Sequence, residues 1–221
     1  MMIRLGLKSF MNDLWRRFQV VPEAVSFWEK ALKVRRNEAI VRLNRKCENN
    51  QYFLSPGDPT QFCKNRCVET KCGEFLVPKE HLTACSTCNS RGRDCGLKEE
   101  EGKGVDGVDF LLYVSARDTR QCGGKIGNVQ VNLHLERDMF KKFALLVNKG
   151  FDASTVAYAA HCQQESSLDR PVAGHTNICP GAIKNTTSDV ESLTGTIKHE
   201  LLHALGFSSS LFAFFRDKAN G

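Results

Sequence analysis

The sequence predicts a mixed α/β (α+β) fold, a twisted mixed sheet backed by one helix, joined to a second helix and interrupted by a cysteine-rich excursion. Three observations predict it. Residues 22–36 and 189–205 repeat apolar side chains at three- and four-residue spacing, compact β-branched and aromatic runs stand at 110–115 and 155–160, and six of the ten cysteines crowd into residues 63–95. The 221 residues are 41% hydrophobic and 25% charged, with 17 Gly and 6 Pro. That composition fits one globular domain, or one domain with an appendage, and excludes disorder, collagen and a bare disulfide mini-scaffold. Apolar runs such as Phe110 to Val114 are far shorter than the roughly 18 residues a membrane span needs.

Residues 1–19 form an atypical N-terminal segment. Arg4, Lys8, Arg16 and Arg17 interrupt its apolar residues, so it has no secretory h-region, and the expectation is a non-secreted protein or a sequence whose beginning is missing. The net charge of +6 arises wholly within residues 1–46, which hold eleven Lys or Arg against four Asp or Glu. Without an interleaved aromatic platform this basic segment reads as a solvated face, and no nucleic-acid partner is expected.

In residues 22–36, Val25, Trp28 and Leu32 share a face with Ala24, Phe27 and Ala31 beside them, and Pro22 suits a first turn, which predicts the backing helix. A short strand is expected at Ala39 to Leu43. Residues 47–107 lack periodicity and read as a loop-rich excursion fixed by cross-links, strand-like only at Phe75 to Val77. Its Cys63, Cys67, Cys72, Cys85, Cys88 and Cys95 fit either a zinc ribbon or disulfides. Phe110 to Ser115 and Thr155 to Ala160 predict strands. Between them, residues 126–154 carry a helical pattern in Met139, Phe140, Phe143, Leu146 and Val147, a crossover or an insertion. Residues 170–179 predict an extended segment ended by Pro180.

Ser188 and Glu191 form a capping box ahead of Val190, Leu193, Ile197, Leu201 and Leu205, which predicts a helix near 189–205 with one apolar side. On its other side the run H-E-L-L-H stacks His199 one turn below His203, with Glu200 beside the first. Two imidazoles so spaced can bind one Zn²⁺, and the adjacent carboxylate can take a proton from water and pass it to a leaving amine. Gly206, three residues after His203, suits a sharp helix stop. The spacing H-E-x-x-H-x-x-G resembles that of the metzincins, whose compact members place a third His three residues after the Gly, where this chain has Ser209.

The stretch KHELLHALGFSSSLFAFFRDK, with DRPVAGHTNICP, TVAYAAHCQ, DFLLYVSA and CKNRCVETKCGEFLVPKEHLTAC, closely resembles leishmanolysin-like metallopeptidases of the metzincin group, in particular their animal, invadolysin-like branch. The resemblance spans most of residues 20–221 and makes them a partial peptidase domain, the N-terminal catalytic subdomain. It implies that His199 and His203 are zinc ligands and Glu200 the catalytic base of a metalloendopeptidase. It places Ala173, Gly174, His175, Thr176 and Asn177 on an edge strand that holds extended protein substrate through main-chain groups. It implies disulfides for the cysteines, with Cys162 stapling the sheet to the excursion, and a secretory or cell-surface location with possible membrane association and a cytoplasmic pool. Roles in adhesion, migration or division follow from the same likeness.

The family's third His and Met-turn have no counterpart after His203 and Met139, and 126–154 has no counterpart in its pattern, so an incomplete chain is expected, one not competent for proteolysis alone. The rival is an inactive, truncated family member that binds partners through its basic helix or Cys-rich face. Asn185 heads the glycosylation sequon Asn185-Thr186-Thr187. His161 and His175, each a lone His on a strand, read as structural, as do His81 and His134.

Overall fold

A computed structural model describes residues 3–7, 20–55, 58–123, 155–165, 169–182 and 187–216. In chain order the elements are β1 (Ile3–Leu7), α1 (Val20–Ala31), β2 (Lys46–Cys47), β3 (Tyr52–Ser55), β4 (Asp58–Cys63), β5 (Cys67–Val68), β6 (Lys71–Cys72), β7 (Phe75–Leu76), β8 (Cys85–Thr87), β9 (Gly96–Glu99), β10 (Phe110–Ala116), β11 (Ala157–Gln164), β12 (Pro171–Ile178) and α2 (Thr187–Leu205). The principal sheet has the order β1-β10-β12-β11, in which β1, β10 and β12 are parallel and β11 is antiparallel at one edge. The expected mixed α+β architecture is what forms.

The continuous apolar run of β10 is explained by burial on both faces, as in parallel sheets. Phe110, Leu112 and Val114 point to one side, where they meet Val20, Val21, Ala24 and Val25 of α1 and Leu193, Ile197, Leu201 and Ala204 of α2. Leu111 and Tyr113 point to the other, where Phe75, Val77, Leu82 and Val105 of the Cys-rich segment and the flanking Val41, Leu43 and Val108 close over them. The helices therefore share one face, and the excursion covers the other.

Five disulfides pair all ten cysteines: Cys47–Cys63, Cys67–Cys85, Cys72–Cys162, Cys88–Cys95 and Cys122–Cys179. The ribbon reading of the spacing falls with them. Cys162 does staple the sheet to the excursion, through Cys72, a bond that spans 90 residues of sequence. Such pairing is the chemistry of an oxidising, extracellular or secretory route. Among the described residues no helix is long and apolar enough to cross a membrane.

Several expectations need correction. α1 starts at Val20 and stops at Ala31, because the following Lys33 to Arg36 are largely exposed and have no core to cover. Ala39 to Leu43 forms no strand; only Val41 and Leu43 bridge, to Val105 and Leu82. The excursion is richer in strands than periodicity suggests, since two-residue strands pinned by cystines are too short to show a period. The second strand begins at Ala157 and runs to Gln164. β1 falls in the N-terminal segment that was expected to stand apart. The patterned stretch 126–154, His134 within it, and Asn185 lie outside the described residues.

Candidate metal centre

α2 keeps its apolar side on the sheet, with Ile197 and Ala204 fully buried, and so leaves the H-E-L-L-H face outward. His199 is exposed, and Glu200 and His203 are half-buried. The two Nε2 atoms are 3.2 Å apart, with the rings nearly perpendicular. Two imidazole nitrogens each about 2.05 Å from one tetrahedral ion stand about 3.3 Å from each other. The pair therefore fits a single metal ion.

The end of α2 orients one of these rings. Gly206 has φ 134°, a conformation open to glycine and strained for other residues. The turn sends the Phe207 amide to the Leu202 carbonyl and the Gly206 amide toward that of His203, a Schellman closure. It also brings the Phe207 carbonyl 2.7 Å from His203 Nδ1. Nδ1–H donates to that oxygen, which leaves the Nε2 lone pair facing His199, the arrangement that metal-binding histidines use.

Glu200 is half-buried on the flank of α2 that packs against β11, in the neighbourhood of the Ala159 backbone amide. Burial raises its carboxyl above the ordinary value, while the charges of His203 and His199 and the Ala159 amide pull it back. Helix and strand come this close because Gly174 lies between them. A Cβ there would sit 2.8 Å from Phe110 Cζ, 2.9 Å from the Ala160 carbonyl and 3.1 Å from the Ala204 Cβ, next in sequence to His203.

The substrate-edge assignment of Ala173 to Asn177 does not hold. β12 is an interior strand, with Ala173 to Asn177 paired to Leu111 to Ser115 of β10 on one side and to β11 on the other. Its main-chain groups are consumed by the ladder, and Ala173, Thr176 and Asn177 are fully buried. Asn177 instead closes the end of the β10 strand: its Oδ1 accepts from Ser115 Oγ and the Arg117 amide, and its Nδ2 donates to the Arg117 carbonyl. Among the described residues the edge strands are β1 and β11, and β11 is the one that packs against α2. Sequence reasoning missed this, although the polar Gln163 and Gln164 that end β11 are a signal of a half-exposed strand.

His175 is a buried ring packed on Gly73, where a Cβ would come within 2.1 Å of it, and desolvation lowers its pKa from the ordinary imidazole value. With Cys72 and Cys162 it forms a cluster of donor atoms within 4.8 Å of one another. The two sulfurs are joined as a disulfide, so they offer no thiolate to a metal. His161 is likewise depressed by burial, and His81 Nδ1 bonds the Tyr113 hydroxyl.

The leishmanolysin profile matches residues 142–220, which include the whole H-E-L-L-H helix and begin inside the 126–154 stretch. Leishmanolysin-like peptidases of Drosophila pseudoobscura and Caenorhabditis elegans are 45% and 42% identical over 90% and 96% of this chain. A ciliated left-right organizer metallopeptidase of Xenopus laevis is 27% identical over 96% of it. The chain spans about a quarter of the length of these relatives, 25%, 27% and 26% in turn. Similarity at this level along nearly the whole chain, on a mixed sheet whose one open helix face carries two histidines and a glutamate, means that the chain belongs to the leishmanolysin family of metallopeptidases.

Proposed function

We propose that this chain carries the zinc-binding and proton-transferring part of an endopeptidase that hydrolyses extended segments of proteins. The observation that carries the reading is the 3.2 Å approach of the His199 and His203 Nε2 atoms beside the half-buried Glu200 carboxylate. His199 and His203 hold one Zn²⁺ and supply two of the three protein ligands that a catalytic zinc takes. The ion, when bound, supplies Lewis acidity toward the scissile carbonyl and its attacking water.

The chain's own groups do the rest. Glu200 takes the proton of the attacking water on its carboxylate and delivers it to the leaving nitrogen. An extended peptide lies along β11, an edge strand among the described residues, and pairs with its outward main-chain groups as an added strand. Main-chain pairing explains a preference for extended segments without fixing side-chain identity.

The test is made on the full-length protein with a quenched-fluorescence peptide of extended conformation. Glu200→Gln removes the base and leaves both histidines, so zinc content should persist while kcat falls by at least about 100-fold. His199→Ala should abolish both zinc retention and cleavage. Zinc-dependent cleavage surviving in Glu200→Gln would overturn the assignment.

A further inference from the structure

α2 is gripped from two sides around its histidines. Successive helical residues turn by about 100°, so Lys198, His199 and Glu200 face three directions. Glu200 lies on the side packed against β11, near Ala159. Lys198 meets α1: its Nζ is 3.1 Å from Glu23 Oε1 and 5.1 Å from the centre of the Phe27 ring. Its backbone carbonyl accepts a 2.9 Å hydrogen bond from the Trp28 indole Nε1–H. His199 stands between these two grips, facing the open side.

The contacts on the Lys198 side chain are surface contacts, in which long chains and solvent screening leave little net effect. The indole bond is different in kind. Its donor is a ring that carries the apolar face of α1, packed against the core under both helices. Its acceptor is the oxygen of the peptide unit whose nitrogen belongs to His199, and that unit is planar and rigid. Holding the oxygen holds the His199 amide, and through it the height and rotation of the helix at the first histidine. The carbonyl's ordinary partner within the helix is the Leu202 amide, one residue before His203. One indole therefore bears on the turn that joins both histidines.

We propose that Trp28 is a positioning residue for the metal pair: its indole N–H, anchored on the Lys198–His199 peptide, aligns the His199 and His203 nitrogens with each other and with Glu200. The inference rests on the reading of His199 and His203 as ligands. Loss of the N–H leaves the helix packed but free to shift against β11, so alignment is regained only on binding and affinity falls. Supporting contacts one step removed from a metal are worth about tenfold or more in affinity.

The test uses this chain and Zn²⁺ alone, with binding followed by NMR signals of the His199 and His203 rings. Three variants are compared with the parent. Trp28→Phe removes the donor and part of the ring. An isostere at position 28 alone, benzothienylalanine, keeps the shape and replaces the N–H by sulfur, so folding is preserved. Val25→Ala removes buried methyl groups from the same helix without removing a hydrogen bond. Both donor-free variants should bind Zn²⁺ about three- to tenfold more weakly, whereas Val25→Ala should lower the melting temperature with affinity within about twofold of the parent. Parent-like affinity in the isostere overturns the positioning role and leaves the ligand reading intact. Equal weakening by Val25→Ala also overturns it, since packing alone would then explain the effect. No response of the His199 and His203 rings in the parent overturns the ligand reading, and the inference with it.

Discussion

Gly174→Ala tests the close approach on which the site depends. The added Cβ meets Phe110 Cζ at 2.8 Å, the Ala160 carbonyl at 2.9 Å and Ala204 Cβ at 3.1 Å. Gly174 is within β12 and is not at positive φ, so alanine has no dihedral strain there and the effect is steric. Two of the three neighbours are a backbone oxygen and a helix Cβ that move only with their elements. Overpacking of this kind costs about 1–3 kcal/mol, which for a chain of this size lowers the melting temperature by about 2–12 °C. Thermal unfolding followed by circular dichroism measures it. A cycle with Phe110→Leu, which removes the nearest atom, should show a coupling of at least about 0.5 kcal/mol, with the double variant less destabilised than the sum. A Gly174→Ala chain that melts within about 1 °C of the parent, or a coupling near zero, would refute the claim that helix and strand touch through this residue.

Other outcomes follow from the same packing. Gly195 is exposed within α2 and a Cβ there meets nothing within 4 Å, so Gly195→Ala should stabilise by about 0.5–1 kcal/mol in urea unfolding. Replacing Cys72 and Cys162 together by Ser opens a loop of separation 90, which chain entropy puts at about 4–5 kcal/mol. The same change at Cys88 and Cys95, separation 7, should cost only about 2–3 kcal/mol, an ordering that denaturant midpoints can reverse or uphold. Burial pushes the Tyr113 phenol well above its ordinary value. The unfolded chain then loses a proton that the folded chain keeps, so stability should be intact below about pH 10 and fall above it. Phenolate absorbance tied to unfolding checks this, and Tyr113→Phe should flatten the decline.

Residues that act through neighbours in sequence were legible, and those that act through neighbours in space were not. The period of Leu193, Ile197 and Leu201 gives both the existence of α2 and the side on which His199 and His203 stand, because a helix fixes direction from spacing alone. A strand fixes only alternation, and its place in the sheet depends on pairings made at a distance. Hence Ala173 to Asn177 could be read as extended but not as interior. Their near-complete burial, set against the polar Gln163 and Gln164 at the end of β11, decides which of the two strands has a free edge. Cystine pairing is non-local in the same way, and ten cysteines constrain it weakly until the excursion is seen to lie across the sheet.

The site divides along the same line. His199, Glu200 and His203 are written in five consecutive residues, yet what surrounds them comes from elsewhere: the Ala159 amide, the Phe207 carbonyl, the Trp28 indole and the absent side chain of Gly174. Two of these are main-chain atoms, which no residue type announces, and one is the lack of atoms. Only the indole is a side chain, and its place on the apolar stripe of α1 marks it as core. Its N–H must nonetheless find an acceptor when buried, and the acceptor it finds is the peptide of His199. A helix laid down for packing thus also holds the first histidine, so substitutions at its apolar face should be judged by metal affinity as well as by melting temperature.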